Sequence, residues 1–203
     1  GICVQDYMYS EKIREKVRKE LGVENNVVIG HVGNFTRAKN HEFLLKVFAE
    51  TLKKEPSARL ILVGSGEEQE KIQKLTVKLK IWKSVIFMGT RSDVNELMQA
   101  MDIFVFPSLY EGLPVTMIET QAAGLPCVIS DHVSNECRVV QELITVMKLS
   151  DLPLNWADHI LSRVIEGRRD CSEEIIKAGY DIETASKNLE EFYLRIYERQ
   201  GIK

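Results

Sequence analysis

Two glutamates, Glu111 and Glu119, bracket the run Glu111-Gly112-Leu113-Pro114-Val115-Thr116-Met117-Ile118-Glu119. Ionised carboxylates are acceptors suited to sugar hydroxyls. Gly112-Leu113-Pro114 reads as a turn opening a helix, because proline is pre-set for a first helical turn. It follows a strongly apolar run, Ile103-Phe104-Val105-Phe106-Pro107. The first amides of a helix lack internal acceptors and sit at the positive end of its dipole. At the carboxyl end of a parallel strand they draw phosphorylated ligands. Donors for phosphate beside acceptors for hydroxyls make a nucleotide-sugar site the first expectation. Gly112, Leu113, Val115 and Thr116 would present amides, while Pro114 sets the turn and Gly112 allows close approach. Glu119 would accept from ribose hydroxyls and Glu111 from hydroxyls of the transferred sugar. The plain alternative is a helix with two ordinary glutamates, and the order of elements disfavours it.

Two carboxylates also raise glycoside hydrolysis. Along a continuous helix eight residues span roughly 12 Å at 1.5 Å per residue. Retaining pairs need about 5–5.5 Å and inverting pairs about 6.5–9.5 Å. The spacing argues against hydrolysis.

A second constellation is Gly33-Asn34-Phe35-Thr36-Arg37-Ala38-Lys39-Asn40. Lys39 and Arg37 could neutralise a diphosphate as it departs; as surface charges they would do nothing. Lys39 is the stronger candidate, since it directly precedes a helix start. Gly64-Ser65-Gly66 is a weak fragment of a dinucleotide fingerprint, and a tight turn with a cap is its default reading. Gly89-Thr90-Arg91 could meet a nucleobase edge through its backbone, with Arg91 packing nearby. Gly33, Asn34, Gly64, Thr90 and Arg91 complete the candidate donor-binding set. His31, His41, His132 and His159 show no ligand spacing. His31 reads as a tolerated strand residue, His41 as a first-turn helix residue, and none as catalytic.

Elements must hold these loops at one edge. Short apolar runs without polar alternation suit strands buried on both faces. They fall at Val27 to Gly33, Leu60 to Val63, Val85 to Met88, Ile103 to Phe106 and Cys127 to Ser130, with a sixth at Leu143 to Met147. Helical spacing lies between them. Asn40 is the expected cap of the helix carrying Phe43 to Leu52, and Ser65 to Glu68 a capping box before Ile72. Ser92 or Asp93 would cap Val94 to Met101. Further helices are expected at Glu11 to Leu21, stopped by Gly22, and at Trp156 to Glu166, Ser172 to Gly179 and Asp181 to Arg199. Alternation of this kind predicts an α/β fold with a doubly wound, Rossmann-like parallel sheet.

Bulk properties narrow the field. The 203 residues suffice for one sizeable core. A net charge of -3 argues against nucleic-acid binding. No apolar run reaches the roughly 20 residues of a membrane span. Cys3, Cys127, Cys137 and Cys171 form no C-x-x-C pair, so a zinc site is not expected and Cys127 reads as a buried thiol. A reducing, cytoplasmic setting fits best. The chain opens on Gly1 and its first core strand arrives near Val27, the pattern expected of a piece cut from a longer protein, with a processed or tagged single-domain protein as the plain alternative.

The E-x7-E run and the stretch VIFMGTRSDVNELMQAMDIFVFPSLYEGLPVTMIETQAAGLPCVISD resemble glycosyltransferase family 4. Those are retaining enzymes of the GT-B fold. The wording is most similar to bacterial exopolysaccharide and capsular polysaccharide glycosyltransferases. The resemblance implies one half of a GT-B fold, the carboxyl-terminal donor-binding domain. Residues 1–26 would lead in, 181–203 would cross over, and the amino-terminal acceptor domain would be absent. It implies Glu111 at the donor sugar, Glu119 at the ribose and Lys39 at the diphosphate. The expected donor is a UDP-sugar, with no bound metal. The acceptor would be a glycan or lipid-linked sugar, with peripheral membrane association of the whole protein at the inner face. One departure stands out: the family's arginine after the first strand is Asn34 here, with Arg37 its expected substitute. A sugar-nucleotide epimerase, a phosphorylase or a binding module without chemistry are the competing readings.

Overall fold

The computed structural model describes residues 1–165 and 167–199. The expected helix end at Glu166, and residues 200–203, lie outside the described residues. Six parallel strands form one sheet: β1 (Val28–Val32), β2 (Arg59–Val63), β3 (Val85–Gly89), β4 (Ile103–Phe106), β5 (Cys127–Ser130) and β6 (Ile144–Met147). Their order is β3-β2-β1-β4-β5-β6. The doubly wound parallel sheet is therefore as expected, the sixth strand included. The order reverses between β1 and β4, which pair Ile29 with Ile103 and Gly30 with Phe104.

Eight α-helices accompany the sheet among the described residues: α1 (Glu11–Leu21), α2 (His41–Lys54), α3 (Gln69–Lys78), α4 (Val94–Ala100), α5 (Val115–Ala122), α6 (Pro153–Val164), α7 (Ser172–Lys177) and α8 (Ile182–Arg199). Successive strand residues serve opposite layers. Ile29, Leu60, Leu62, Ile103 and Val105 pack with Leu44 and Phe48 of α2, Ile72 of α3 and Trp156 of α6. Val28, Ile61, Phe104, Phe106 and Ile129 pack with Val17 of α1, Met98 of α4, Met117 of α5 and Ile175 of α7. With both faces covered, the strands have no reason to alternate apolar and polar residues.

The segment before β1 is built into this core. Arg14 and Arg18 of α1 converge on Asp102, which also accepts from the Val28 amide at 2.7 Å. Ile2 donates to the Tyr180 carbonyl at 2.8 Å, tying the first residues to the start of α8. Along α8, Leu189, Phe192, Tyr193 and Tyr197 stand exposed.

Three expected caps are corrected. Ser65 does not cap α3, which begins only at Gln69; its hydroxyl instead meets Thr90 Oγ1 at 3.0 Å. Asn40 occupies the cap position of α2 in the left-handed region (φ 54°), but its side chain donates to the Pro107 carbonyl at 3.0 Å. Asp93 precedes α4, yet Arg91 takes up its carboxylate. Ser65 and Asn40 are drawn to partners on neighbouring loops, and Asp93 to an arginine two residues back in its own loop. Pro114 stands just before α5, not inside its first turn, and Val115 is the first helical residue.

Candidate functional site

Ligands of doubly wound sheets bind where the strand order reverses, beyond the strand carboxyl ends. Here the loops after β1 and β4 meet at that point. Leu109 donates its amide to the Ala38 carbonyl at 2.8 Å, and Asn40 reaches Pro107 across the same seam. Lys39 Nζ donates to Glu111 Oε1 at 2.6 Å. Only 19% of the lysine side chain and 13% of the glutamate's are exposed. A charge-assisted bond of this length, shielded from water, is strong. The ammonium also lies 4.7 Å from the centre of the Phe106 ring. The lysine stem crosses Gly33, where an added Cβ would come 3.1 Å from Lys39 Cε.

Next to this pair is a cleft of about 310 Å³. Gly33, Asn34, Lys39, Gly64, Thr90, Arg91 and Thr116 all line it, so half of the expected set comes together there, while Glu111, Gly112, Leu113, Pro114, Val115 and Glu119 are not in its lining. The rim is knitted by main-chain bonds: Gly33 to Val63, Phe35 to Ser65, and Gly64 to Gly89, at 2.8–2.9 Å. Gly64 sits at φ 132°, and a Cβ there would fall 2.2 Å from the Gly33 carbonyl oxygen. That close approach is why the position is glycine. Arg91 is held by Asp93 through two bonds of 2.8 and 2.6 Å.

The start of α5 faces the same edge. Among the described residues nothing accepts from the amides of Leu113, Val115 or Thr116, as the first turn of a helix requires. Leu113, Val115 and Gly112 are exposed, while Pro114 is buried. Glu119, half-buried one turn on, accepts from the Tyr7 hydroxyl at 2.7 Å.

Arg37 is not brought in. It lines a separate cavity of about 360 Å³ with Glu42, Lys46, Glu68 and Lys71. Asn34 and Arg37 thus open onto different hollows. Beneath the site lie two fully buried histidines. His31 Nδ1 is 2.9 Å from the Val105 carbonyl, and the His41 ring stacks on Phe35 at 4.1 Å. Burial pushes His31 down to about 4. Burial, then His31 and then Lys39, push His41 down to about 2. Both are packing residues kept neutral, in line with their reading as strand and first-turn residues. Among the described residues no group of three or more His, Cys, Asp or Glu is placed to hold a metal ion.

The family model described as glycosyl transferases group 1 matches residues 13–166. This chain belongs to that family. The group 1 domain is 36% identical over 170 residues to EpsF of Bacillus subtilis, named as a glycosyltransferase. That match covers 82% of this chain and 44% of EpsF. It is 25% identical over 195 residues to the UDP-Gal:alpha-D-GlcNAc-diphosphoundecaprenol alpha-1,3-galactosyltransferase of Escherichia coli, covering 90% of this chain and 48% of the enzyme. The chain therefore spans less than half the length of these relatives. Among solved structures, HepE of Anabaena in complex with UDP superimposes with a TM-score of 0.80 at 22% identity. It covers 96% of this chain and 56% of HepE, and shows the shared fold. The group 1 domain is thus one Rossmann-like unit of the GT-B architecture. No described helix is long and apolar enough to cross a membrane.

The Tyr7 contact with Glu119 escaped sequence reasoning. The two residues lie 112 positions apart, and Tyr7 precedes the stretch that the family model matches.

Proposed function

We propose that this chain is the donor-binding domain of a retaining glycosyltransferase of bacterial polysaccharide assembly. One observation carries the reading: Lys39 and Glu111 meet at 2.6 Å across the sheet's reversal point, beside the cleft that gathers the loops after β1, β2 and β3. The cleft takes a nucleoside diphosphate sugar. UDP is the preferred carrier, since solved relatives of this fold were obtained with UDP, with UDP and glucose, and with UDP-glucose.

In this reading Glu119 accepts from the ribose and Glu111 from the transferred sugar. The amides of Leu113, Val115 and Thr116, together with Lys39, hold the diphosphate. When the bond from the anomeric carbon to the phosphate oxygen breaks, the diphosphate leaves with the electron pair. Lys39 and the positive end of α5 stabilise that charge without a metal. Asn34, at the cleft wall, supplies a neutral contact where the family usually has a cation. The acceptor, a glycan or lipid-linked sugar, would be met by a further domain at the cytoplasmic face of the membrane.

Calorimetry with UDP, GDP, ADP and their sugar conjugates tests this. Saturable heat with at least one is expected. A folded protein that binds none of them overturns the assignment.

A further inference from the structure

Glu119 is held by a residue from outside its own element. Tyr7 ends a short 3-10 turn, Val4–Tyr7, that lies against α4 and α5. The turn is pinned on several sides. Val4 is in the core, Gln99 Nε2 donates to the Tyr7 carbonyl at 3.1 Å, and Asn95 Nδ2 donates to the Asp6 carbonyl at 3.0 Å. Farther back, Ile2 is paired with Asp181 at the entrance to α8. With its backbone fixed, the phenol points its only proton at Glu119 Oε1 at 2.7 Å. A phenol has one proton to give, so it orients one carboxylate oxygen and leaves the other free to accept. No other bond to Glu119's carboxylate is formed among the described residues.

We propose that Tyr7 is a positioning residue of the donor site. It fixes the Glu119 carboxylate so that Oε2 is presented to a ribose hydroxyl of the nucleotide. Pre-set acceptors bind more tightly because less rotamer freedom is lost on binding. The phenol itself remains un-ionised: burial, then the Glu119 carboxylate, hold it far above the usual tyrosine range. It therefore stays a donor across the physiological range. This inference rests on the reading of Glu119 as the ribose acceptor.

The test compares uridine diphosphate with its 2′-deoxy and 3′-deoxy forms by calorimetry, on wild type, Tyr7→Phe and Glu119→Gln, the deoxy form that wild type binds more weakly serving as the reference. The phenylalanine keeps the ring and removes only the hydroxyl. Wild type is expected to prefer the ribonucleotide by about tenfold or more, as for a hydrogen bond to a charged group. Tyr7→Phe is expected to lose about three- to tenfold in affinity for the ribonucleotide while the deoxy form binds as before. A merely structural tyrosine would weaken both nucleotides equally, or neither, and either result overturns the proposal. Glu119→Gln separates the two levels. If it abolishes the ribose preference and Tyr7→Phe leaves it intact, only the role of Tyr7 fails. If wild type shows no preference, or Glu119→Gln preserves it, the ribose assignment of Glu119 fails and the inference falls with it.

Discussion

Lys39 and Glu111 come from loops 72 positions apart in sequence and share a 2.6 Å ion pair at the point where the strand order reverses. The pair neutralises the two charges that the proposed reaction would use. In that proposed reaction an arriving diphosphate would have to compete with Glu111 for the lysine.

Removing the lysine should separate phosphate from nucleoside. Lys39→Ala is expected to weaken UDP binding about ten- to hundredfold, the worth of a charge-assisted bond, and to leave uridine affinity unchanged. Equal losses for UDP and uridine in calorimetry would remove Lys39 from the diphosphate.

Removing the competing charge should act the other way. Glu111→Gln is expected to leave UDP binding equal or up to a few-fold tighter, because Lys39 is released. Binding of the matching UDP-sugar relative to UDP should fall. A UDP-sugar to UDP affinity ratio that does not move would show that Glu111 does not touch the sugar.

Two glycines at the cleft should respond differently. At Gly33 a new methyl meets the flexible stem of Lys39, which can shift; at Gly64 it meets a carbonyl oxygen at 2.2 Å in a left-handed backbone. Gly33→Ala is expected to fold with a melting temperature within a few degrees of wild type and weakened UDP binding. Gly64→Ala should cost about 1–3 kcal/mol or more in stability, read by denaturant unfolding. Equal stability of the two variants would contradict the close approach of these loops.

Asp102 joins the first helix to the sheet by accepting from Arg14, Arg18 and the Val28 amide. Arg18 is buried, so Asp102→Ala leaves its charge without that partner. A loss of about 3–5 kcal/mol is expected, or a fall in melting temperature of roughly 6–20 °C for a domain of this size. A shift below about 2 °C by scanning calorimetry would show that the cluster carries little energy.

Acid should destabilise the fold through its buried histidines. His31 and His41 are held below their ordinary value of 6.5 by burial, at about 4 and about 2. The unfolded chain then binds protons below pH 6.5 that the folded chain refuses. Stability is full above that pH and is lost as pH falls, by up to about 1.4 kcal/mol per pH unit for each ring. The window runs from 6.5 to about 4 for His31 and on to about 2 for His41. In urea unfolding at pH 7.5 and 5.0, His41→Gln should lose less stability than wild type. An unchanged difference would exclude His41 as a source.

The chemistry-bearing loops were legible because their signals are local. Apolar runs of Ile103-Phe104-Val105-Phe106 type mark buried strands, and Gly112-Leu113-Pro114 marks a helix start, whatever lies around them. The three corrected caps show the limit. Ser65, Asn40 and Asp93 have cap chemistry, and Asn40 and Asp93 hold cap positions, yet Thr90, Pro107 and Arg91 claimed their side chains. Arg37 was a sound candidate by charge and proximity to Lys39, but the turn between them points it to another hollow.

Alone, the residue order determined the parallel α/β architecture and the edge that carries the loops, and singled out the two glutamates and lysine as candidate groups, because hydrophobic period and turn chemistry act over a few residues. Tertiary structure decided which of these groups touch: Lys39 with Glu111, Tyr7 with Glu119, and Asn34 apart from Arg37. Such contacts depend on strand order and on competition among donors and acceptors brought from distant parts of the chain, and neither is written in local spacing.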